Sequence, residues 1–98
     1  MNPPDFLAHR RGDDVAVAVH DVAAGPALLA YLDGGGETEV SATVENIPLG
    51  HKVALRDLTS GESPIEYGVQ IGVMYKSARA GELVHVHNLR SARWPHSS

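Results

Sequence analysis

Two stretches of the chain repeat one plan: VAVHDVAAGPAL at 17–28 and VALRDLTSGESPI at 53–65. Each runs through an apolar segment, a polar residue, an Asp, an apolar residue, two small residues and a Gly, then starts a second apolar segment. A looser third copy, VMYKSARAGELVHV at 73–86, has Ser77 where the others have Asp21 and Asp57. The glycine always follows four positions later, at Gly25, Gly61 and Gly81. This spacing predicts a strand, a one-turn connection and a new strand direction. The Asp or Ser accepts from the turn's free N–H groups, and Gly takes the left-handed backbone that ends it. Corners at 21, 57 and 77 are too unevenly spaced for a solenoid, so they belong to one compact all-β domain.

The segments between the corners read the same way. DVAVAV (14–19) sets Val15, Val17 and Val19 against Ala16, Ala18 and His20, with the period of a strand. In TEVSATVE (38–45), Val40, Ala42 and Val44 share one face, and Glu39, Ser41, Thr43 and Glu45 share the other. Between them, LDGGGE (32–37) is a turn or loop. Residues 27–32 have helical propensity after Pro26, but the echo of the other corners favours a strand. The expected organisation is an N-terminal extension over 1–13, a β domain over 14–90 and a tail over 91–98. In that tail Pro95 breaks regular structure and Trp94 is apolar enough to be pinned to something.

Composition removes several function classes. At 98 residues the chain buries only roughly 60–65% of its unfolded surface, so a deep self-sufficient active site is hard to build and a second chain could supply the other wall. Eight Lys and Arg against twelve Asp and Glu, net −4, with no basic block, exclude a nucleic-acid site. The absence of Cys excludes disulfides, thiolate metal sites and Cys nucleophiles. The opening residues carry no secretory pattern, and no apolar run approaches the length of a membrane span, so a cytoplasmic, membrane-free protein is expected.

Two segments could carry chemistry. In GELVHVHN (81–88), an extended chain would place Leu83, His85 and His87 on one face, with the imidazoles about 6.5–7 Å apart. That is one way to present two ligands to a divalent metal, with further ligands from elsewhere. The plainer reading is two histidines facing water at a sheet edge, followed by Asn88 as a strand-ending turn residue. In IPLGHKVALRD (47–57), Pro48 and Gly50 frame a turn that sets His51 and Lys52 at the mouth of a strand. A cation beside an imidazole binds an anion, or the pair is simply a solvated turn. EYGVQIG (66–72) has the wrong glycine spacing for a dinucleotide loop and reads as structural, with a bulge or close backbone approach. His20 reads as a surface residue, His9 and His96 fall in loose ends, and no Ser sits on a nucleophile elbow.

Together, IPLGHKVALRD, YGVQIG and GELVHVHN resemble the SAF-type domain of the altronate/galactarate dehydratase family, over about Asp14 to Asn88. The resemblance is sharpest at Gly50-His51-Lys52 and at His85-Val86-His87-Asn88, and it implies a compact β-clip fold. It also implies a divalent metal, iron or manganese, in the elimination of water from a sugar acid. Some such enzymes are split, with a short chain carrying this domain and a large catalytic subunit carrying the rest. The split sulfolactate sulfo-lyases are similar but release sulfite, and NLRSARW resembles the ending of such small subunits. The resemblance makes His85 and His87 candidate metal ligands. It makes His51, Lys52 and Asn88 candidate residues for binding a small anionic hydroxy acid. Two rivals stay open: a non-catalytic SAF-type binding module, and a homo-oligomer with histidines at a subunit contact. KSAR at 76–79 lacks the acid of the other corners, which puts that corner's capping in question.

Overall fold

The computed structural model describes residues 3–34 and 38–91, so Trp94, Pro95 and His96 lie outside the described residues, as do residues 35–37. The ten described strands are β1 (Phe6–Ala8), β2 (Val15–Ala18), β3 (Gly25–Tyr31), β4 (Thr38–Thr43), β5 (Lys52–Ala54), β6 (Ile65–Glu66), β7 (Val69–Gln70), β8 (Gly72–Met74), β9 (Leu83–Val84) and β10 (Leu89–Ser91). A 3-10 turn at Leu32–Gly34 is the one helical element among the described residues, so the all-β expectation holds. No helix among them is long and apolar enough to cross a membrane.

Six strands form one sheet in the order β4-β3-β1-β2-β5-β9, with β1 and β3 parallel and the other pairs antiparallel. The sheet curls back on itself. Just past β4, the Val44 N–H donates to the Gly81 carbonyl (3.0 Å), and the Glu45 carboxylate accepts from the Leu83 N–H (3.0 Å). β8 pairs with β10, and β6 with β7.

The segment expected as an extension before residue 14 is instead part of the domain. Phe6 pairs with Ala18 on one side and Leu29 on the other, and its ring is 1% exposed at the centre of one core cluster. A three-residue strand is too short to show a period, so only burial reveals it. A second cluster packs Val15, Ala54, Leu58, Met74, Ala78 and Val84.

Among the described residues the glycine-ended corners number four, not three, and they lock together in pairs. The overlooked one is Asn46–Gly50, within the turn that precedes His51. Asp21 Oδ1 accepts from the Leu49 N–H (2.8 Å) and Asn46 Oδ1 from the Ala24 N–H (3.0 Å), around a Val22–Ile47 bridge. Asp57 Oδ1 accepts from the Ala80 N–H (2.9 Å) and Ser77 Oγ from the Ser60 N–H (3.1 Å), around a Leu58–Ala78 bridge. Each acceptor therefore serves the residue before its partner's glycine and not its own turn. Gly25, Gly50, Gly61 and Gly81 all have positive φ, from 82° to 132°, which side-chain-bearing residues rarely adopt. Ser77 shows that KSAR needs no acid, because a hydroxyl serves.

On β4 the apolar face is the outward one. Val40 is 77% exposed and Val44 61%, whereas Thr43 is buried and Glu39 accepts a 2.8 Å hydrogen bond from the half-hidden Tyr31 hydroxyl. Gly72 is a close-approach glycine: a Cβ there would stand 2.1 Å from the Arg90 carbonyl oxygen on β10.

Candidate functional site

The 83–88 segment leaves strand geometry earlier than its alternation predicts. β9 ends at Val84, and residues 85–88 turn. The cause is Asn88, which is 4% exposed. Its Oδ1 accepts from the His85 N–H (2.9 Å), and its Nδ2 donates to the Leu83 carbonyl (2.8 Å). The His85 carbonyl in turn accepts from the N–H groups of Asn88 (3.0 Å) and Leu89 (2.8 Å), and the Tyr75 hydroxyl donates to the Val86 carbonyl. A side-chain amide that bonds its own backbone in this way competes with the ladder and wins. His85 and His87 are therefore not neighbours on one extended face. Both ends of the Asn88 amide are engaged by backbone.

His85 gains another imidazole instead. In the β5–β9 pair Lys52 stands opposite Val84, so the residues just beyond, His51 and His85, are carried to the same edge. Their ring centroids are 4.7 Å apart, with 58° between planes. His51 Nδ1 lies 3.3 Å from the Leu49 carbonyl, a contact suited to N–H donation that would leave Nε2 with its lone pair. The His85 pKa is lowered from 6.5, first by burial and then by the charges of His51, His87 and Lys52. His85 is thus a neutral imidazole at neutral pH, able to accept a proton or a cation.

An open pocket of about 650 Å³ lies beside this pair, with His85 and Lys52 in its wall. Opposite them the β6–β7 hairpin contributes Glu66 and, at its tip, Tyr67. Lys52 Nζ is 4.0 Å from Glu66 Oε1, so the floor carries both signs of charge rather than a bare cation. Tyr67 adopts φ of 58° because the buried Asp13 carboxylate accepts its N–H (3.0 Å to each oxygen). Its ring packs on His9, with centroids 4.4 Å apart, and the Arg10 guanidinium carbon lies 5.3 Å from its centre.

Of the residues singled out in the sequence, Lys52 and His85 line the pocket, and His51 adjoins it through the His85 ring. His87 is exposed on the turn, and Asn88 lies beneath it. Glu66, Tyr67 and His9 also line the pocket and were not foreseen. For Glu66 and Tyr67 the sequence signal is YG between Ile65-Glu66 and Val69-Gln70, a two-residue hairpin signature that says nothing of where the tip points.

Two imidazoles 4.7 Å apart suit adjacent positions on one cation, for which metal–nitrogen bonds of about 2.1 Å put ring centres about 5 Å apart. Among the described residues no group of three His, Cys, Asp or Glu is placed to hold an ion, so the donor set fits part of a coordination shell and does not complete one. The local chemistry is a neutral base, a cation–carboxylate pair and an aromatic wall around a space of small-metabolite size.

Comparison with known proteins extends these observations. The family model of the altronate/galactarate dehydratase SAF domain matches residues 4–92. The chain is similar to (2R)-sulfolactate sulfo-lyase subunit alpha of Chromohalobacter salexigens, at 42% identity over 91 residues, covering 92% of this chain and 97% of that one. The subunit of the same name from Paracoccus pantotrophus is 47% identical over 49 residues, covering 50% of this chain and 73% of that one. Altronate dehydratase of Bacillus subtilis is 34% identical over 86 residues, covering 88% of this chain but only 16% of that protein.

Proposed function

The chain belongs to the altronate/galactarate dehydratase SAF-domain family, and from that premise we propose that it is the small subunit of a cytoplasmic lyase. With a large catalytic subunit it serves the elimination of sulfite, or of water, from a small anionic hydroxy acid. The carrying observation is that the two turns on which the sequence resemblance was sharpest, at 50–52 and 85–88, meet at one pocket edge, where His51 and His85 stand side by side. The end-to-end likeness to a sulfo-lyase alpha subunit favours sulfite as the leaving group.

Such an elimination removes a proton from the carbon beside the carboxylate, while the sulfonate or hydroxyl departs from the next carbon. Lys52 anchors an anionic end of the substrate, and Glu66 fixes the ammonium's position without cancelling it, the contact being 4.0 Å long. Neutral His85 has a lone pair to offer to the cation assigned below. Asn88 acts indirectly, by fixing the turn that carries His85.

We assign His85 and His87, with His51 beside them, as the imidazoles offered to a divalent cation, iron or manganese, whose remaining ligands come from the large subunit. When bound, that ion supplies Lewis-acid polarisation of the carboxylate or the leaving group.

The test is reconstitution. The chain and its large subunit, separately and mixed, are given (2R)-sulfolactate or altronate, while sulfite and keto-acid release and bound metal are measured. Turnover and metal retention in the mixture alone are expected. A mixture inert toward both acids would leave a non-catalytic module as the better reading.

A further inference from the structure

The pocket's floor is polar, but its rim is not. Tyr67 and Val69 are each 59% exposed and Val86 is 71% exposed, all three around the same opening. They are also firmly held. Val69 is paired with Glu66 across the hairpin. Tyr67 is pinned in left-handed backbone by Asp13, an arrangement costly for a non-glycine residue and retained only when its surroundings impose it. Val86 sits on the turn locked by Asn88 and by the Tyr75 hydroxyl. Rigid apolar groups around a polar centre lose little entropy when covered, and such groups form the centre of stable interfaces.

We infer that the Tyr67–Val69–Val86 rim is the surface on which the large subunit seats, closing the site between the two chains. The inference rests on the small-subunit reading and adds to it the face used. Its occupant follows from the company this domain keeps: a relative matched over 97% of its length is one subunit of a lyase, and the described residues here offer only part of a cation shell, beside the opening that carries this rim. The altronate dehydratase likeness shows the domain carried as 16% of a longer chain, hence suited to working against a larger mass. Another apolar surface, Val40 and Ala42 on β4 with Val44 just past it, meets a separate hollow at Val40, beside Pro3, Asp5 and His20. The residues of that hollow contribute nothing to the pocket, so a chain seated only there would reach no candidate site residue.

The test measures affinity of the full chain for its large subunit, for the wild type and for Val86→Asp, Val69→Asp and Val40→Asp. All three positions are exposed, and thermal melting verifies that each variant folds. The rim variants are expected to bind at least about tenfold more weakly, and Val40→Asp to bind as the wild type does. Hydrogen exchange on the wild-type mixture, which needs no variant, should show new protection at 66–70 and 85–88. Equal binding by the rim variants, or protection confined to 38–44, would overturn the rim assignment while leaving the small-subunit reading intact. A wild-type chain that neither binds nor activates the large subunit would overturn both.

Discussion

His51 and His85 come from turns 34 positions apart in the chain, yet their rings pack at 4.7 Å because β5 and β9 pair with Lys52 opposite Val84. The contact joins the two turns singled out in the sequence in one structural unit. His85 holds its proton weakly, first because of burial and then because His51, His87 and Lys52 are cationic or potentially cationic neighbours.

Substituting either ring of this pair should harm function more than substituting His87. In the reconstituted enzyme His85→Ala and His51→Ala are expected to lower kcat/KM by about a hundredfold or more, with complex formation retained. His87→Ala, at a residue that does not line the pocket, should cost less. A ranking with His87 first, read from steady-state kinetics, would return the ligand pair to its simple sequence reading.

The lowered pKa of His85 has a sign that NMR can check. Its ring should titrate below 6.5, the neutral form persisting as pH falls past that of an ordinary histidine. Lys52→Met removes one repelling charge, so the His85 titration should move up towards the ordinary value. Burial, the larger cause, remains, so the return should be partial.

Asn88 is testable as a turn-fixing residue. Asn88→Ala deletes the bonds to His85 and Leu83 at a buried position, for a stability loss of about 1–3 kcal/mol in urea unfolding. Asn88→Asp retains the acceptor for the His85 N–H but loses the donor to Leu83, setting a carboxylate oxygen against a carbonyl. It should be no better tolerated than Ala.

The reciprocal corners predict a coupled pair. Asp57→Ala and Ser77→Ala should each cost about 1 kcal/mol. Because Asp57 serves Ala80 and Ser77 serves Ser60 across one Leu58–Ala78 bridge, the double variant should depart from additivity. Simple additivity in a double-mutant cycle would show that the two corners do not act together.

His20 supplies a pH dependence of stability. Its ring contacts the Asp21 carbonyl and the Asp5 carboxylate, each at 2.8 Å, and its pKa is raised, first by the Asp21 contact and then, against burial, by Asp5. A raised folded-state pKa gives stability that is fully present below the unfolded value of about 6.5 and is lost as pH rises through the folded value. The wild type's advantage over His20→Gln should therefore be seen in urea midpoints at about pH 6 and should shrink by about pH 8.5. The ring is well exposed, so the effect is small.

Strand character in 14–19 and 38–43 was legible from alternation, whereas 27–31, helical by propensity, was legible as a strand only from its echo of the other corners. The corners were legible from their Asp/Ser-to-Gly spacing, since positive φ is a demand on residue type that sequence displays directly. Asn46–Gly50 escaped because its Pro48 and the following His51-Lys52 drew the reading towards a functional turn. In β4 the alternation was plain but not its sense: the valines stay exposed while Thr43 is buried and Glu39 meets the Tyr31 hydroxyl, and no pattern within 38–45 encodes a partner on β3.

Local chemistry, then, determined the all-β class, the glycine-ended corners and the residue types available for a site, because these depend on backbone preferences within a few positions. The tertiary structure decided which of those residues meet. A buried Asn88 amide outcompeted the ladder and set His87 on a turn, the β5–β9 register brought His51 to His85, and a hairpin tip pinned by Asp13 carried Tyr67 and Glu66 to the pocket that Lys52 lines. Each of these contacts joins segments through space or sets two local bonds against each other, and their outcome depends on burial that only the assembled fold provides.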